Sequence, residues 1–210
     1  MPSMAPARVL AALAAGLTGA VVVLGGAMQP GYSHVADSIS ELGAVGAPHG
    51  QAISVAGFLP IGLLVVACLV SMAPHVHVRG VARIGYWLLL ANGVSYVGAA
   101  FVPCDMGCPA SGSDQQALHN LLGLIGYGGS GVGLLLYARG RTDGSSSRAT
   151  MSTLRVLGVV VLACLFGLGI PDAEPVRGLI QRIAECCLSA TLLLIAWRDI
   201  PARPLQGLDP

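Results

Sequence analysis

Lysine is absent from this 210-residue chain, and only 10% of the residues are charged, well below the quarter that is usual in soluble domains. The arginines nearly balance the acidic residues, so the net charge of +1 provides no basic surface and excludes a nucleic-acid partner. Hydrophobic residues, by contrast, make up 54% of the chain. A soluble domain of this length cannot bury so much apolar sequence, and we therefore expect an integral membrane protein.

Motifs that identify common enzyme classes are also missing. The sequence contains no His-Glu-x-x-His, no Gly-x-Ser-x-Gly and no phosphate-binding glycine loop followed by Lys-Ser/Thr. The 29 glycines are instead typical of close helix packing in membranes, most clearly from Gly123 to Gly133. We expect Gly-rich helix faces to pack helices together and to allow a homo-oligomer.

Six apolar stretches each approach the ~20 residues that cross a bilayer as a helix. They cover residues 9–28, 51–73, 81–102, 117–138, 154–170 and 176–197. Pro60 lies inside the second stretch and predicts a kink, and the polar, Ser-rich segment 139–152 predicts a flexible cytoplasmic linker. The first stretch is alternatively a signal peptide, because Arg8 precedes it and Gly25-Gly26-Ala27 offers small residues for cleavage. The sequence predicts an all-α fold, a polytopic membrane bundle of six transmembrane helices in a single domain.

The arginines predict the orientation of the bundle, because retained positive charge marks cytoplasmic loops. Eight of them precede span one, follow span six, or lie between spans two and three or four and five: Arg8, Arg79, Arg83, Arg139, Arg141, Arg148, Arg198 and Arg203. The three segments on the other side contain Arg177 alone. We therefore expect both termini inside and a multi-pass protein of the cell membrane.

Polar side chains gather at the predicted outer face. The segment after span one reads YSHVADSISELGA from Tyr32, the segment after span three contains VPCD from Val102, and span four begins with LHNLLG from Leu118. These segments bring His34, Asp37, Ser38, Ser40, Glu41, His49, Asp105, Asp114 and His119 to one side of the membrane. The inner face offers mainly arginines.

These three motifs on six spans resemble the bacterial and archaeal membrane family known as domain of unknown function 998. The family pattern falls on Ser33, Asp37, Ser40, Glu41, Gly43, Pro103, Asp105 and His119, and Cys104 and Cys108 are a variation on it. The Ser-Glu-Leu-Gly segment is also similar to one in eukaryotic DRAM-like proteins, some of whose relatives influence lipid remodelling. The resemblance implies a membrane protein with these residues near one outer site.

Several of these residues also have local structural interpretations. Ser38 and Glu41 match a capping box that starts a short helix ending at Gly43, and Asp105 suits a turn after Pro103. His119 lies in the apolar start of span four, where it needs a hydrogen-bond partner such as Asp105 or Asp37.

Span six carries ionisable residues within its apolar sequence. Gly178, Arg182, Glu185 and Ser189 share one helix face. Arg182 and Glu185 either neutralise one another or line a wet cavity in which Arg182 attracts an anionic group such as a lipid phosphate. Asn92, Ser95 and Tyr96 on span three are candidates for the opposite wall of that cavity.

The six cysteines differ in predicted depth. Cys68, Cys164, Cys186 and Cys187 lie in spans and are interpreted as small buried hydrophobic residues. Cys104 and Cys108 lie outside, where an oxidising compartment favours a disulfide. Zinc held by this pair with His119 and either His34 or Asp37 is an alternative, as are free thiols.

Three functions remain consistent with the sequence. The first is binding or handling of a lipid headgroup or small polar ligand in an outward-facing pocket, with Ser40, Glu41, Arg182 and Glu185 as ligand-binding residues. The second is a membrane-embedded hydrolase or transferase in which His119 with Asp105 or Asp37 activates water or a hydroxyl, with or without a metal. The third is a small-solute transporter or a structural membrane subunit. Membrane lipids are the expected partners, no metal site is assigned, and the sequence identifies no cofactor.

The predicted orientation is tested with a reporter that is active only in the cytoplasm. Fusions after Ala73, Thr142 or Pro210 are expected to be active, and fusions after Ala47 or Ser111 inactive, because the arginines retain their segments inside. Reversed activity at any of the five points would contradict the N-in, C-in topology.

Overall fold

A computed structural model of the chain describes residues 3–139 and 147–198. It contains six helices that are long and apolar enough to cross a membrane, as the sequence predicts. We number them α1 (Ala5–Met28), α2 (Gly50–His75), α3 (Val81–Phe101), α4 (Asp114–Arg139), α5 (Arg148–Leu168) and α6 (Arg177–Arg198). Short 3₁₀ helices at Ile39–Gly43 and Pro171–Val176 lie in the connections before α2 and α6. The protein is an all-helical, multi-pass membrane protein.

The helix limits differ from the predicted spans mainly around the fourth connection. α5 begins at Arg148, because the Ser147 hydroxyl accepts a hydrogen bond from the backbone N–H of Thr150 at 3.1 Å and caps the helix. The prediction of a linker extending to residue 152 is therefore wrong at its end, and its central residues 140–146 lie outside the described part of the chain. A π-helical turn at Ser54–Phe58 directly precedes Pro60 within α2, and the kink expected at Pro60 stays a prediction.

Glycine pairs allow the central helices to pack with their backbones in close approach. A Cβ atom at Gly62 of α2 would lie 2.6 Å from the carbonyl oxygen of Gly93 in α3, and one at Gly158 of α5 would lie 3.0 Å from that of Gly131 in α4. Gly85 of α3 faces Gly133 of α4 in the same way. The Gly-rich faces therefore pack within the chain, and a homo-oligomer through them stays a prediction.

Three connections meet at one end of the bundle, which we call the long-loop end: residues 29–49, 102–113 and 169–176. The backbone N–H of Val45 donates to the carbonyl of Cys104 at 2.9 Å, and that of Gly178 donates to the carbonyl of Ala36 at 3.2 Å. This is the end at which the sequence places its polar motifs. The distribution of the arginines predicts that this end faces the outside.

Gly85 provides a test of the helix packing. A Cβ atom at this position would contact the backbone nitrogen of Tyr137 and the carbonyl of Gly133, so Gly85→Val is expected to destabilise the protein by about 1–3 kcal/mol through overpacking. Thermal unfolding of the purified protein measures the effect. Gly19→Val on the exposed face of α1 is the control, because no atom lies within 4 Å of its added Cβ. Equal melting temperatures for the two variants would contradict this packing.

Candidate functional site

The first turn of α6 holds the loop that precedes α2. Backbone N–H groups in the first turn of a helix have no partner within the helix, and here Gly178 and Leu179 donate to the carbonyls of Ala36 and Val35. Any Cβ at Gly178 would collide with the carbonyl oxygen of Asp37. Glycine is therefore required at this position for the loop to lie directly against the helix.

Arg177 connects three segments of the long-loop end. Its guanidinium donates to the Glu41 carboxylate at 2.7 Å, to the carbonyl of Cys108 at 2.7 Å and to that of Gly107 at 2.8 Å. No role for Arg177 is predicted from the sequence, although it is the one arginine in the predicted outer segments. Its position as a single arginine among otherwise arginine-free segments is the sequence feature that could have identified it as a functional or structural residue.

Glu41 also stabilises its own short helix. Its Oε1 atom accepts a hydrogen bond from the backbone N–H of Ser38 at 2.9 Å, which is the carboxylate half of the predicted capping box. The helix ends at Gly43, as predicted. Glu41 therefore acts by positioning Arg177 and the loop, and it does not line the cavities described next.

A groove of about 660 Å³ opens between α4, α5 and the start of α6. Its apolar lining includes Leu124, Leu165, Phe166 and Leu168, and its polar lining includes Ser40, His119, Asn120, Arg177 and Gln181. Phe166 is 74% exposed and Leu124 is 55% exposed, so the apolar sides face the surroundings of the bundle. We call this cleft the groove.

A smaller cavity of about 50 Å³, the inner cavity, lies deeper in the bundle between α3, α4 and α6. It is lined by the predicted wall of Asn92, Ser95 and Tyr96 and by Glu185. The groove and the inner cavity share the lining residues Ser40, His119, Gly123, Tyr127 and Gln181. The two spaces are therefore neighbours separated by a few side chains.

Gln181 links the loop to this polar interior. Its side-chain oxygen accepts from the backbone N–H of Ile39 at 2.5 Å, and its amide nitrogen donates to the Ser40 hydroxyl at 3.3 Å. Gln181 is not among the site residues predicted from the sequence, although it lies four residues, or about one helical turn, before Glu185.

Glu185 hydrogen-bonds to tyrosines of two neighbouring helices. The Tyr127 hydroxyl donates to its Oε1 atom at 2.7 Å, and the Tyr96 hydroxyl also hydrogen-bonds to the carboxylate. Arg182 points away, toward the Tyr32 hydroxyl at 2.7 Å, His34 Nδ1 at 3.0 Å and the Asp37 carbonyl at 2.9 Å. The interpretation that Arg182 and Glu185 neutralise one another is therefore wrong, because their side chains turn to opposite partners.

The predicted pairing of an aspartate with His119 does not form among the described residues. His119 Nδ1 lies 2.7 Å from the carbonyl oxygen of Val102, so Nδ1 carries the proton and Nε2 is the acceptor. Asp105 accepts instead from the backbone N–H and hydroxyl of Ser113 at 2.9 and 2.7 Å, and these hydrogen bonds hold its pKa below the ordinary value. Asp37 accepts from the backbone N–H of Ser33 at 2.7 Å.

The predicted site residues therefore divide into two groups. Ser40, His119 and Glu185 line the groove or the inner cavity, and Glu41 supports them through Arg177. Asp37, Asp105 and Arg182 lie at the same end of the bundle but line neither space; they stabilise the loops. The two aspartates lie apart from the cavities because their short side chains hydrogen-bond to nearby residues in the loops.

Cys104 and Cys108 are bonded to one another, with their Cα atoms 5.1 Å apart. The enclosed turn places Gly107 and Cys108 at positive φ and directs both of their carbonyls toward Arg177. Ligand atoms of the two cysteines and His119 lie within 4.8 Å of one another. His34 and Asp37, the remaining ligands of the zinc alternative, have partners elsewhere, so zinc would require reduced cysteines and a different fourth ligand.

Protein purified without reductant is expected to have Cys104 and Cys108 blocked to alkylation, because the pair closes a short turn at the long-loop end. Intact-mass analysis after alkylation under denaturing conditions measures this, with the fully reduced protein as the control. Free thiols at both positions would contradict the disulfide, and one equivalent of zinc by elemental analysis would favour the metal alternative.

Comparisons with known proteins identify the family of the chain. No curated protein and no solved structure matches the chain, so the similarity to DRAM-like proteins stays a resemblance. A family model described as protein of unknown function (DUF998) matches residues 12–198, which include most of α1, all of α2 to α6 and the lining of both cavities. The chain therefore belongs to the DUF998 family.

Proposed function

We propose that the protein binds a membrane lipid in the groove, with the headgroup at the polar end and an acyl chain along the apolar sides. The observation that carries the proposal is the shape and lining of this space. About 660 Å³ lies within the range of known ligand pockets, and its apolar sides are continuous with lipid-facing residues of α4 and α5. Because the arginines predict that the long-loop end faces the outside, the proposed lipid comes from the outer leaflet of the cell membrane.

The polar end favours a headgroup that accepts hydrogen bonds. Arg177 Nε is buried without a hydrogen-bond partner, and the Arg177 side chain lines the groove. A phosphate oxygen is a strong acceptor for a guanidinium N–H, which adds charge attraction to the hydrogen bond. Asn120 and Gln181 supply neutral amide groups beside it.

A second candidate function is hydrolysis or group transfer on the same ligand. It is favoured by one observation: His119 lines the groove with its Nδ1 proton held by Val102, which leaves Nε2 as a base. His119→Gln would then abolish turnover of a bound lipid without releasing it. Asp105→Asn is expected to leave any such activity unchanged, because Asp105 bonds to Ser113 outside the groove.

Gly123 offers a test of lipid binding that leaves the helix contacts intact. It lines both cavities, and no atom lies within 4 Å of an added Cβ. Gly123→Leu is expected to narrow the groove and reduce the lipid that remains bound in native mass spectrometry, whereas Gly123→Ala retains it.

Gly19→Leu is the matched control, because it places the same side chain on an open, exposed face of α1. Equal lipid retention by Gly123→Leu and Gly19→Leu, at equal melting temperatures, would contradict binding in the groove. Arg177→Gln then tests the headgroup contact, with selective loss of phosphate-bearing lipids as the expected result.

A further inference from the structure

The inner cavity contains an acidic side chain without a basic partner. Glu185 is only 6% exposed and lies eight residues into α6, about 12 Å along the helix axis. Among residues 3–139 and 147–198, no arginine or histidine forms an ion pair with it. An ionised carboxylate at this depth is costly unless another charge balances it.

Two further polar side chains of the inner cavity have no hydrogen-bond partner in the described part of the chain. Asn92 is 7% exposed and Ser95 lies one turn further along α3, and both line the cavity with Glu185. Buried polar groups in native proteins are almost always hydrogen-bonded to protein, water or a ligand. About 50 Å³ is more space than one water molecule requires, so the cavity has room for an additional group between these side chains.

The chemical groups that line the inner cavity indicate which kind of ligand it binds. The carboxylate of Glu185, the amide oxygen of Asn92 and the hydroxyls of Ser95, Tyr96 and Tyr127 are all oxygen ligands, which hard cations prefer. Both tyrosine hydroxyls hydrogen-bond to Glu185, and their oxygen lone pairs remain available. A single carboxylate balances a single positive charge, whereas sites for divalent ions at this depth need more than one.

We propose that the inner cavity is a binding site for a small monovalent cation such as Na⁺, with Glu185 as the balancing charge and Asn92 and Ser95 as neutral ligands. The site is separate from the groove and does not depend on lipid binding there. Ser40, His119 and Gln181 belong to the wall that the site shares with the groove.

The test is thermal unfolding of the full-length protein in detergent, titrated with NaCl against choline chloride at constant ionic strength. A ligand that binds only the folded state raises the melting temperature with its concentration. We expect a saturable rise with Na⁺ that choline does not produce. Glu185→Gln removes the balancing charge and is expected to abolish the rise.

Asn92→Leu is the second variant. It replaces one proposed cation ligand by a side chain of similar volume and keeps the Glu185 carboxylate. It therefore tests the site even if Glu185→Gln does not fold. Glu174→Gln is the matched control, since it removes one carboxylate from the exposed connection before α6 and is expected to retain the full response. Direct binding of radioactive ²²Na⁺ to the same variants should follow the same order.

Two results would overturn the proposal. Equal melting temperatures in Na⁺ and choline, with no bound ²²Na⁺, would show that the cavity holds water and binds no cation. A Na⁺ response that persists in both Glu185→Gln and Asn92→Leu would reveal a general salt effect or a site elsewhere.

Discussion

The long-loop end depends on one constraint: the exposed backbone N–H groups at the start of α6 need partners, and the first loop supplies them. Gly178 has no side chain, so the loop carbonyls of Val35 and Ala36 reach the helix directly. Arg177 and Gln181 then fix the same loop from either side, through Glu41 and through Ile39. Arg177, Gln181 and Ser40, which these contacts hold in place, line the groove.

The arrangement gives the bundle two different polar environments. The groove is open to the surroundings of α4 and α5 and combines apolar sides with hydrogen-bond donors, which suits an amphipathic molecule. The inner cavity is smaller and consists largely of oxygen ligands around Glu185. Gly123 and Tyr127 line both spaces.

Much of the fold follows from the sequence because a bilayer leaves few alternatives to spanning helices. Apolar length predicted all six helices, and the capping box predicted the short helix ending at Gly43. Ser40, His119 and Glu185, which the sequence offered as candidates from three different segments, line the same cavity. Asn92, Ser95 and Tyr96, the candidates for the other wall of a cavity at span six, line it with Glu185.

The partners of individual side chains were less predictable. Aspartate side chains are short and bond to nearby backbone, so Asp37 and Asp105 turned to Ser33 and Ser113 and not to His119. The long side chain of Arg182 reached Tyr32 in the loop instead of Glu185 on its own helix. Such choices depend on the tertiary approach of the loop to Gly178, which no local pattern encodes.

A double-mutant cycle between Arg177 and Glu41 tests most directly whether the contact between the start of α6 and the first loop organises the long-loop end. Arg177→Met and Glu41→Gln are each expected to lower the melting temperature, since each leaves a largely buried partner unpaired. The double variant should be destabilised by less than the sum, with a coupling of about 1 kcal/mol or more. Strictly additive effects would contradict the account, because the two side chains would then act independently.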